Sequence, residues 1–515
     1  GFIQKMIPGD GTITRGDIYA DYCAVDIPTD LLRPDGNVSP DNQTGWAESN
    51  WTNLRRVNYM LDNMHKCKGR VSDEIYNHYE GVARFWRAWF YYDKVQTFGA
   101  VPWYDFTIAA SDKEAMMKPR DSREYVMDKV LEDLTFASTY CLSDAKFTKG
   151  SALINKWVAL AFKSRVCLFE AAYRRYHNLT GLEITPEELY REAAKAAKLV
   201  IDNSGCSLNT AAGKKGAYRD LFYSETPLTQ EVILAVCANE KSGIFGEQNW
   251  WFNARSYGLC WSLVRSFVHT YLKQDGTPFT AAADYAVKSF AEEMEGRDLR
   301  LEQTVRGRNF LWDGKTAVAD IKNLSLTGYQ VIKYTLDESK YDGGAKNINS
   351  IPLIRYAEVL LNYAEAQAEL GVITDSEWAL TVGALRKRAG ITGGTETLPT
   401  TVDSYLQRTF YPDVTSPVLL EIRRERAIEL VAEGMRFDDL RRWKCGSLME
   451  TLPWSGIHIP GLEQPVDVNG DGVNDYYFTE GEVASAPAAY KNIAVRVNQD
   501  GVGLYAEANP VSGYD

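Results

Sequence analysis

Oxygen-bearing side chains recur in the segment DVNGDGVNDYYF with the spacing of an EF-hand-like calcium loop. The candidate ligands at loop positions 1, 3, 5, 7 and 9 are Asp467, Asn469, Asp471, Val473 through its carbonyl oxygen, and Asp475. Gly472 suits the sharp turn, but Phe478 stands where such loops place a bidentate Glu. The segment also fits a β-hairpin, because Asn-Gly and Asp-Gly are favoured turn pairs between β-like runs. Calcium and a plain hairpin are therefore alternatives.

The stretch EIRRERAIELVAEGMRFDDLRRWK, residues 421–444, concentrates seven basic and six acidic side chains. A glycosidase-type site would need one carboxylic acid with a raised pKa. Neighbouring arginines instead lower carboxylate pKa values, and most of these charges have an opposite charge three or four positions away. Gly434 marks a break between two helices. We interpret the stretch as structural scaffold.

Catalytic motifs are absent from the sequence. It contains no P-loop, no G-x-S-x-G, no H-E-x-x-H and no dinucleotide-binding glycine pattern after a strand. Its five histidines are isolated, and its eight cysteines include no C-x-x-C pair. We predict that the protein is not an enzyme and has no catalytic residues.

The charge balance argues against a nucleic-acid partner. The 515-residue chain has a formal net charge of −12, whereas a nucleic-acid surface needs concentrated positive charge. No apolar run approaches the roughly 20 residues that span a bilayer, and the segment from Gly1 lacks the pattern of a signal peptide. The chain as given is expected to be cytoplasmic or already trimmed.

Aromatic residues are abundant, with thirteen Trp and thirty Tyr, and two polar loops present them beside amide and guanidinium groups. Flat rings can stack on sugar C–H faces while polar neighbours bind hydroxyl groups. The predicted ligand-binding residues in these loops are Trp250, Trp251, Asn253, Arg255, Tyr257 and Trp312. We expect at least one of the three tryptophans to be solvent-exposed in a concave site. Trp103, Trp157 and Trp443 are assigned to core packing, and Trp46 and Trp51 are left undecided.

The elements that must position these loops are paired helices. Apolar residues follow helical spacing through 152–176, and TPEE gives the next helix a capping box from Thr185 to Glu188. Residues 354–371 show two apolar faces and end at Gly371. We predict a mainly α, tetratricopeptide-like paired-helix scaffold over 46–205 and 351–445. Irregular, partly β inserts at 206–350 and 446–515 are expected to hold the ligand.

Three long motifs resemble one family. ERAIELVAEGMRFDDLRRW, ARFWRAWFYYDKVQTFGAVPWYD and IRYAEVLLNYAEAQAELG are similar to conserved segments of the SusD/RagB family of Bacteroidetes surface glycan-binding lipoproteins. Weaker echoes such as TGYQVIKY and the terminal NPVSGYD follow in family order. The resemblance runs from about residue 20 to the end, so the chain is interpreted as a single SusD-like unit, 1–515.

The resemblance implies a nutrient-uptake protein that captures oligosaccharide or polysaccharide at the cell surface. Family members are tethered to the outer membrane by a lipid and deliver glycan to a TonB-dependent transporter of the SusC type. The lipid-bearing cysteine would lie upstream of the given chain. A helical-repeat protein–protein scaffold and a glycan-active enzyme are the alternatives.

Overall fold

The computed structural model describes residues 16–25, 45–143, 152–253, 260–321, 323–480 and 491–495. The α-helices are α1 Thr52–Asn63, α2 Asp73–Phe98, α3 Lys113–Met116, α4 Arg123–Tyr140, α5 Lys156–Tyr176, α6 Pro186–Asn203, α7 Asp220–Tyr223, α8 Gln248–Asn253, α9 Arg265–Val268, α10 Phe290–Met294, α11 Arg300–Thr304, α12 Tyr356–Glu369, α13 Asp375–Leu380, α14 Val382–Arg388, α15 Ser404–Phe410, α16 Pro417–Glu429, α17 Arg436–Arg442 and α18 Leu448–Thr451. Across these ranges, no helix has the length and apolarity needed to cross a membrane.

The β-strands are short and form small separate sheets. They are β1 Cys23–Ala24, β2 Val232–Val236, β3 Ser262–Leu263, β4 Leu311–Trp312, β5 Lys315–Thr316, β6 Ile351–Arg355, β7 Pro465–Val466, β8 Tyr476–Glu480 and β9 Lys491–Val495. The pairs β1–β3, β2–β6, β4–β5 and β7–β8 are antiparallel, and β9 adds to β8 in parallel. The strands therefore tie loops together rather than building a central sheet.

The long helices form one array in which each packs on its predecessor. Helix α2 packs on α1, α4 on α2, α5 on α4 and α6 on α5. Helix α12 then packs on α6 and α5, although residues 204–355 separate it from α6 in the chain, and α16 packs on α12. The array thus continues across the insert, and the predicted paired-helix fold class is confirmed.

Local capping sets the helix ends. The Thr185 side chain accepts a hydrogen bond from the Glu188 backbone N–H, and the Glu188 side chain accepts one from the Thr185 backbone N–H; this is the capping box that the sequence predicts. The helix predicted from residue 152 begins only at Lys156. The Asn155 side chain accepts from the Trp157 and Val158 N–H groups, and this cap fixes the start.

The predicted helix 354–371 also begins later than expected. Ile354 belongs to β6 and pairs with Leu234 of β2, so α12 starts at Tyr356. The pairing with β2 explains the difference, because it keeps the chain extended from Ile351 to Arg355. The predicted end is right, since Gly371 follows α12 with a φ of +72°, a conformation suited to glycine.

Glu429, the last residue of α16, is fully buried among three arginines from three other elements. Arg300 of α11 donates to its Oε2 at 2.8 Å, Arg355 of β6 donates to its Oε1 at 2.9 Å, and Arg388 of α14 also binds Oε1. Burial alone would raise the pKa of Glu429, but the arginines together lower it far below its usual value. This carboxylate therefore stabilises the fold above its unfolded pKa, and the contribution is lost as the pH falls.

Stretch 421–444 is scaffold, but the partners of its charges differ from the expectation. Most charges bind residues far away in the chain instead of residues one helical turn away. The long-range pairs include Glu433–Arg355, Arg436–Asp21 and Arg442–Glu365, and the i, i+3 pairs include Asp438–Arg441. The reason is burial, because α16 lies inside the molecule and meets other elements on several sides.

We expect Glu429→Gln to lower the free energy of unfolding by about 3–5 kcal/mol, because it leaves three buried arginines short of one negative charge. Chemical denaturation followed by circular dichroism measures the change. The matched control is Glu132→Gln, whose side chain is 62% exposed and pairs with Lys129, and which should cost at most about 1 kcal/mol. Equal losses in the two variants would contradict the central role of Glu429.

Candidate functional site

Helix α8 carries two of the predicted tryptophans. Trp250 and Trp251 are both half-buried, and their ring centroids lie 5.2 Å apart. Trp251 packs against the buried core of the insert, whereas Trp250 is not part of that core. Buried Asn249 fixes the helix, because its side chain donates to the Leu336 carbonyl at 2.7 Å and accepts from the Leu336 N–H at 2.7 Å.

The β4–β5 hairpin carries the third predicted tryptophan. Trp312 pairs with Lys315 across a two-residue turn whose residues, Asp313 and Gly314, have φ values of 49° and 74°. Such a turn favours an Asp-Gly pair. The Trp312 side chain is half-buried and stacks on Phe310, with ring centroids 6.4 Å apart.

Both elements are attached to the same segment, residues 336–342. The Asp313 N–H donates to the Asp337 carbonyl at 3.0 Å, and the Ser339 N–H donates to Asp313 Oδ1 at 2.9 Å. On the other side, the Asn253 side chain donates to Asp342 Oδ1 at 3.3 Å. We call α8, the β4–β5 hairpin and segment 336–342 the aromatic site. It brings Trp250, Trp251, Asn253 and Trp312 onto one support.

Asp342 lies at the centre of this arrangement and was missed by the sequence analysis. The amides of Asn249 and Asn253 both donate to its Oδ1, and in the described ranges no residue donates to Oδ2. The pKa of Asp342 is raised above its usual value, mainly by partial burial and also by the charge of Asp313, although the two amides act to lower it. Oδ2 can therefore accept a hydrogen bond from a ligand hydroxyl. The surrounding polar sequence DESKYDGG carries no motif that singles Asp342 out.

Arg306 packs against the aromatic rings of the β4–β5 hairpin and of Phe310. It is 6% exposed, and its guanidinium lies 4.8 Å from the Phe310 ring and 5.5 Å from the Trp312 ring. Burial lowers the pKa of Arg306 to about 10, so it stays a cation at neutral pH. Its backbone N–H donates to Gln330, whose side chain donates to Asn253. Hydrogen bonds and cation–π contacts thus connect the hairpin to α8.

The other tryptophans considered in the sequence analysis differ in how deeply the structure buries them. Trp103 and Trp443 are buried, as assigned, while Trp157 is half-buried against the same core. Undecided Trp46 and Trp51 are half-buried and stack edge-on at 5.2 Å. Arg255 and Tyr257 lie outside the described residues. Since Trp250, Trp251 and Trp312 are all half-buried, their exposure in a concave site stays a prediction.

A surface cavity of about 640 Å³ opens elsewhere, along α4. Tyr125, Phe136 and Tyr140 lie in its wall with the Glu183–Ile184 loop, and none of the predicted ligand-binding residues lines it. The cavity shares no lining residue with the aromatic site.

The predicted calcium loop is the turn of a β-hairpin, the alternative that the sequence left open. Strands β7 and β8 flank it, with Pro465 opposite Tyr477 and Val466 opposite Tyr476. The Asp467 carboxylate accepts from the backbone N–H groups of Gly470 and Gly472, each at 2.7 Å. Among the residues that the structure describes, no three His, Cys, Asp or Glu side chains are grouped to hold a metal ion.

The carboxylate charges in the loop are compatible with calcium binding. Partial burial and the nearby Asp471 and Asp467 carboxylates raise the pKa of Asp475, although a bond from the Val468 N–H lowers it. A bound cation would relieve that repulsion. Calcium binding by this loop therefore stays a prediction.

Comparison with known proteins identifies relatives for most of the chain. A model of the SusD family matches residues 230–498, and a second model, described as starch-binding and associating with the outer membrane, matches residues 34–168. A relative, SusD-like protein P2 of Formosa agariphila, is 27% identical over 437 residues, which cover 80% of this chain and 74% of that protein.

Solved structures share the fold. A SusD-like protein of Bacteroides fragilis superposes with a TM-score of 0.64 at 24% identity, covering 86% of this chain and 85% of its own. A SusD-like carbohydrate-binding protein of the same species gives a TM-score of 0.66 at 20% identity, covering 90% and 87%. At these identities the likeness shows the helical architecture alone.

For the hairpin loop, calcium binding predicts a melting temperature higher in calcium than in chelator, since a ligand that binds only the folded state stabilises it. Differential scanning calorimetry measures it, with Asp467→Asn as the variant that should lose the shift. If the melting temperature of the parent protein is the same in calcium and in chelator, the loop is a plain hairpin turn and the calcium hypothesis is wrong.

Proposed function

Since the chain belongs to the SusD family, we propose that it is a cell-surface oligosaccharide-binding protein that delivers glycan to a TonB-dependent outer-membrane transporter. The observation that carries this proposal is the aromatic site. There, half-buried tryptophans from two elements are attached, together with hydrogen-bonding side chains, to one supporting segment.

Sugar recognition has two physical requirements, and the aromatic site offers both. A pyranose presents C–H groups that pack on flat rings, and Trp250 and Trp312 offer such rings. Its hydroxyl groups need fixed acceptors and donors, which Asp342 and Asn253 supply. Because the amides of α8 already hold Asp342 Oδ1, the carboxylate is oriented before a ligand arrives. Such preorganisation lowers the entropy cost of binding.

One buried acid–base pair is better suited to a structural role than to catalysis. His269 and Glu293 form an acid–base pair at 2.9 Å, but both are buried, and Glu293 also accepts from Arg265 and from Tyr329. Burial alone would raise the pKa of Glu293, yet its partners hold it below the usual value. A permanently charged, enclosed carboxylate is poorly suited to general acid catalysis on a polymer.

The transporter and the membrane anchor rest on the family. The description of the model matched by residues 34–168 associates it with the outer membrane. We propose that a lipidated cysteine upstream of Gly1 tethers the protein to the cell surface, where it meets a SusC-like transporter. Acyl chains bind the bilayer through the hydrophobic effect and need no spanning helix.

Trp250→Ala and Trp312→Ala should each weaken binding of the cognate glycan by about 1–3 kcal/mol, the loss expected for a central aromatic anchor. Isothermal titration calorimetry against plant, host and microbial glycans identifies the ligand first, and the variants are then compared with it. Trp250→Phe and Trp312→Phe keep a flat face and should retain more of the affinity.

The control is Tyr140→Ala, which removes an aromatic ring that is 44% exposed on α4. It should bind as tightly as the parent protein. Folded tryptophan variants with parental affinity would move the site elsewhere. New reducing ends appearing on prolonged incubation with glycan would instead indicate an enzyme.

Native protein extracted from membranes in mild detergent should carry acyl chains and co-purify with a large outer-membrane barrel. Mass spectrometry of the intact protein and of its partner measures both. A form whose lipidated cysteine is replaced should appear in the soluble fraction. Recovery of the native protein from the cytoplasm without lipid would contradict the proposed location.

A further inference from the structure

Segment 16–25 lies against the turn between α16 and α17. The Asp17 carboxylate accepts a hydrogen bond from the Gly434 N–H at 2.9 Å and another from the Arg436 N–H at 3.0 Å. A side chain on Gly16 would begin only 2.8 Å from the Gly434 Cα atom, so the two backbones are in direct contact. We call segment 16–25 the N-terminal latch, because it joins stretches of the chain that are more than 400 residues apart.

Two further side chains of the latch hold the same turn. The Tyr22 hydroxyl accepts from the Ala432 N–H at 3.0 Å, and Ala432 has a φ of +63°. That left-handed conformation costs alanine free energy, so the surrounding contacts must maintain it. The Asp21 carboxylate accepts two bonds from the Arg436 guanidinium, at 2.8 and 2.7 Å. The latch therefore closes over a strained turn.

Asp17 differs from the other buried carboxylates of this region. It is fully buried, but only neutral groups donate to it: the Tyr22 hydroxyl at 2.6 Å and two backbone N–H groups. Across the ranges that the structure describes, no cation forms an ion pair with it, whereas the nearby Arg436 and Lys333 bind other carboxylates. Neutral donors replace the hydration of a buried charge only in part. The docked latch therefore favours the protonated, neutral form of Asp17.

The pKa of Asp17 lies apart from those of the groups that face it within the latch and at residues 333–334. Burial raises the pKa of Asp17 to about 6, although its three hydrogen bonds and the charge of Lys333 act to lower it. Burial also raises the pKa values of Tyr22, Cys23 and Tyr334 well above their usual range, so these groups stay neutral. Burial lowers the pKa of the Lys333 ammonium to about 8, and it is a cation in mild acid.

The charged groups of the turn also keep their ionisation in mild acid. Burial alone would raise the pKa of Glu433, but the charge of Arg355 and of a neighbouring lysine hold it below its usual value. Burial alone would lower the pKa of Arg436, but Asp21 raises it well above its usual value. Because Asp21 shares the latch with Asp17, the test must change Asp17 alone.

We propose that the protonation of Asp17 controls how firmly the N-terminal latch holds the turn, with tight docking in mild acid and more frequent opening as the pH rises. Docking raises the pKa of Asp17 above its value in the open segment, so docking takes up a proton. The stabilising contribution is complete below the pKa of the open form and is lost as the pH rises through about 6.

The role of the latch rests on the proposed membrane anchor. A lipid tether upstream of Gly1 would be linked to the body of the protein through the latch. Opening would lengthen that link by the released residues, because an undocked segment behaves as a linker. The opening itself is a property of the chain and can be measured without a membrane or a glycan.

Hydrogen–deuterium exchange of the 515-residue chain, followed by mass spectrometry, measures the opening, because exchange detects local openings that are rare. The reporters are the latch and the amides of Ala432, Gly434 and Arg436, which donate to it. After correction for intrinsic exchange rates, we expect their opening equilibrium to rise at least about tenfold from pH 4.5 to pH 7.5, since docking changes the pKa of Asp17 by about two. Helix α5, which is largely buried, should show no such rise.

Two variants separate the titration of Asp17 from the other contacts of the latch. Asp17→Asn keeps an acceptor of similar shape but cannot ionise, so its opening equilibrium should not change between the two pH values. Gly16→Ala places a methyl group 2.8 Å from the Gly434 Cα atom. It should open the latch more at both pH values and retain the pH dependence of the parent protein.

Equal opening of the parent latch at pH 4.5 and pH 7.5 would overturn the proposal. A pH dependence that persists in Asp17→Asn would overturn it as well and assign the titration to Asp21. Exchange of the reporters only together with α5 would show that the latch opens by global unfolding and has no switch of its own. Each of these results leaves the glycan titrations and the test for acyl chains unaffected, so failure of the latch is distinguishable from failure of the proposed function.

Discussion

The buried ion pairs around Glu429 are the constraint on which the rest of the structure depends. A buried carboxylate is tolerable only while its cationic partners surround it, and those partners come from α11, β6 and α14. Arg355 also binds Glu231 and Glu433, and Arg388 binds Glu231. The elements must therefore dock together, which joins the 204–355 insert to the helical array.

The same buried charges hold the segment that supports the aromatic site. Lys333, three residues before that segment, is buried and donates to Glu433, Tyr218 and the Val431 carbonyl, each at 2.7 Å. Arg219 then binds Asp337 within the segment and the Thr335 carbonyl before it. The backbone that carries Asp342 is thus fixed at one end in the buried charges. A site on irregular loops can in this way keep its groups in place without a sheet beneath them.

Sequence patterns predicted the features of this fold whose causes lie within a few residues. They missed the features that depend on residues far apart in the chain. The capping box at Thr185 and the break at Gly434 could be predicted because their causes lie within a few residues. The partners of the 421–444 charges could not, since Glu433 and Arg355 are 78 residues apart. Asp342 was missed for the same reason: its orientation comes from two amides on α8, about ninety residues earlier.

The chemistry of the proposed aromatic site sets how glycan binding should respond to ionic strength. Stacking on Trp250 and Trp312 and hydrogen bonds to Asp342 would act at contact distance on an uncharged glycan, so added salt should change the affinity little. If the affinity fell steeply with rising salt, the aromatic site would have to recognise a charged glycan rather than hydroxyl groups and ring faces.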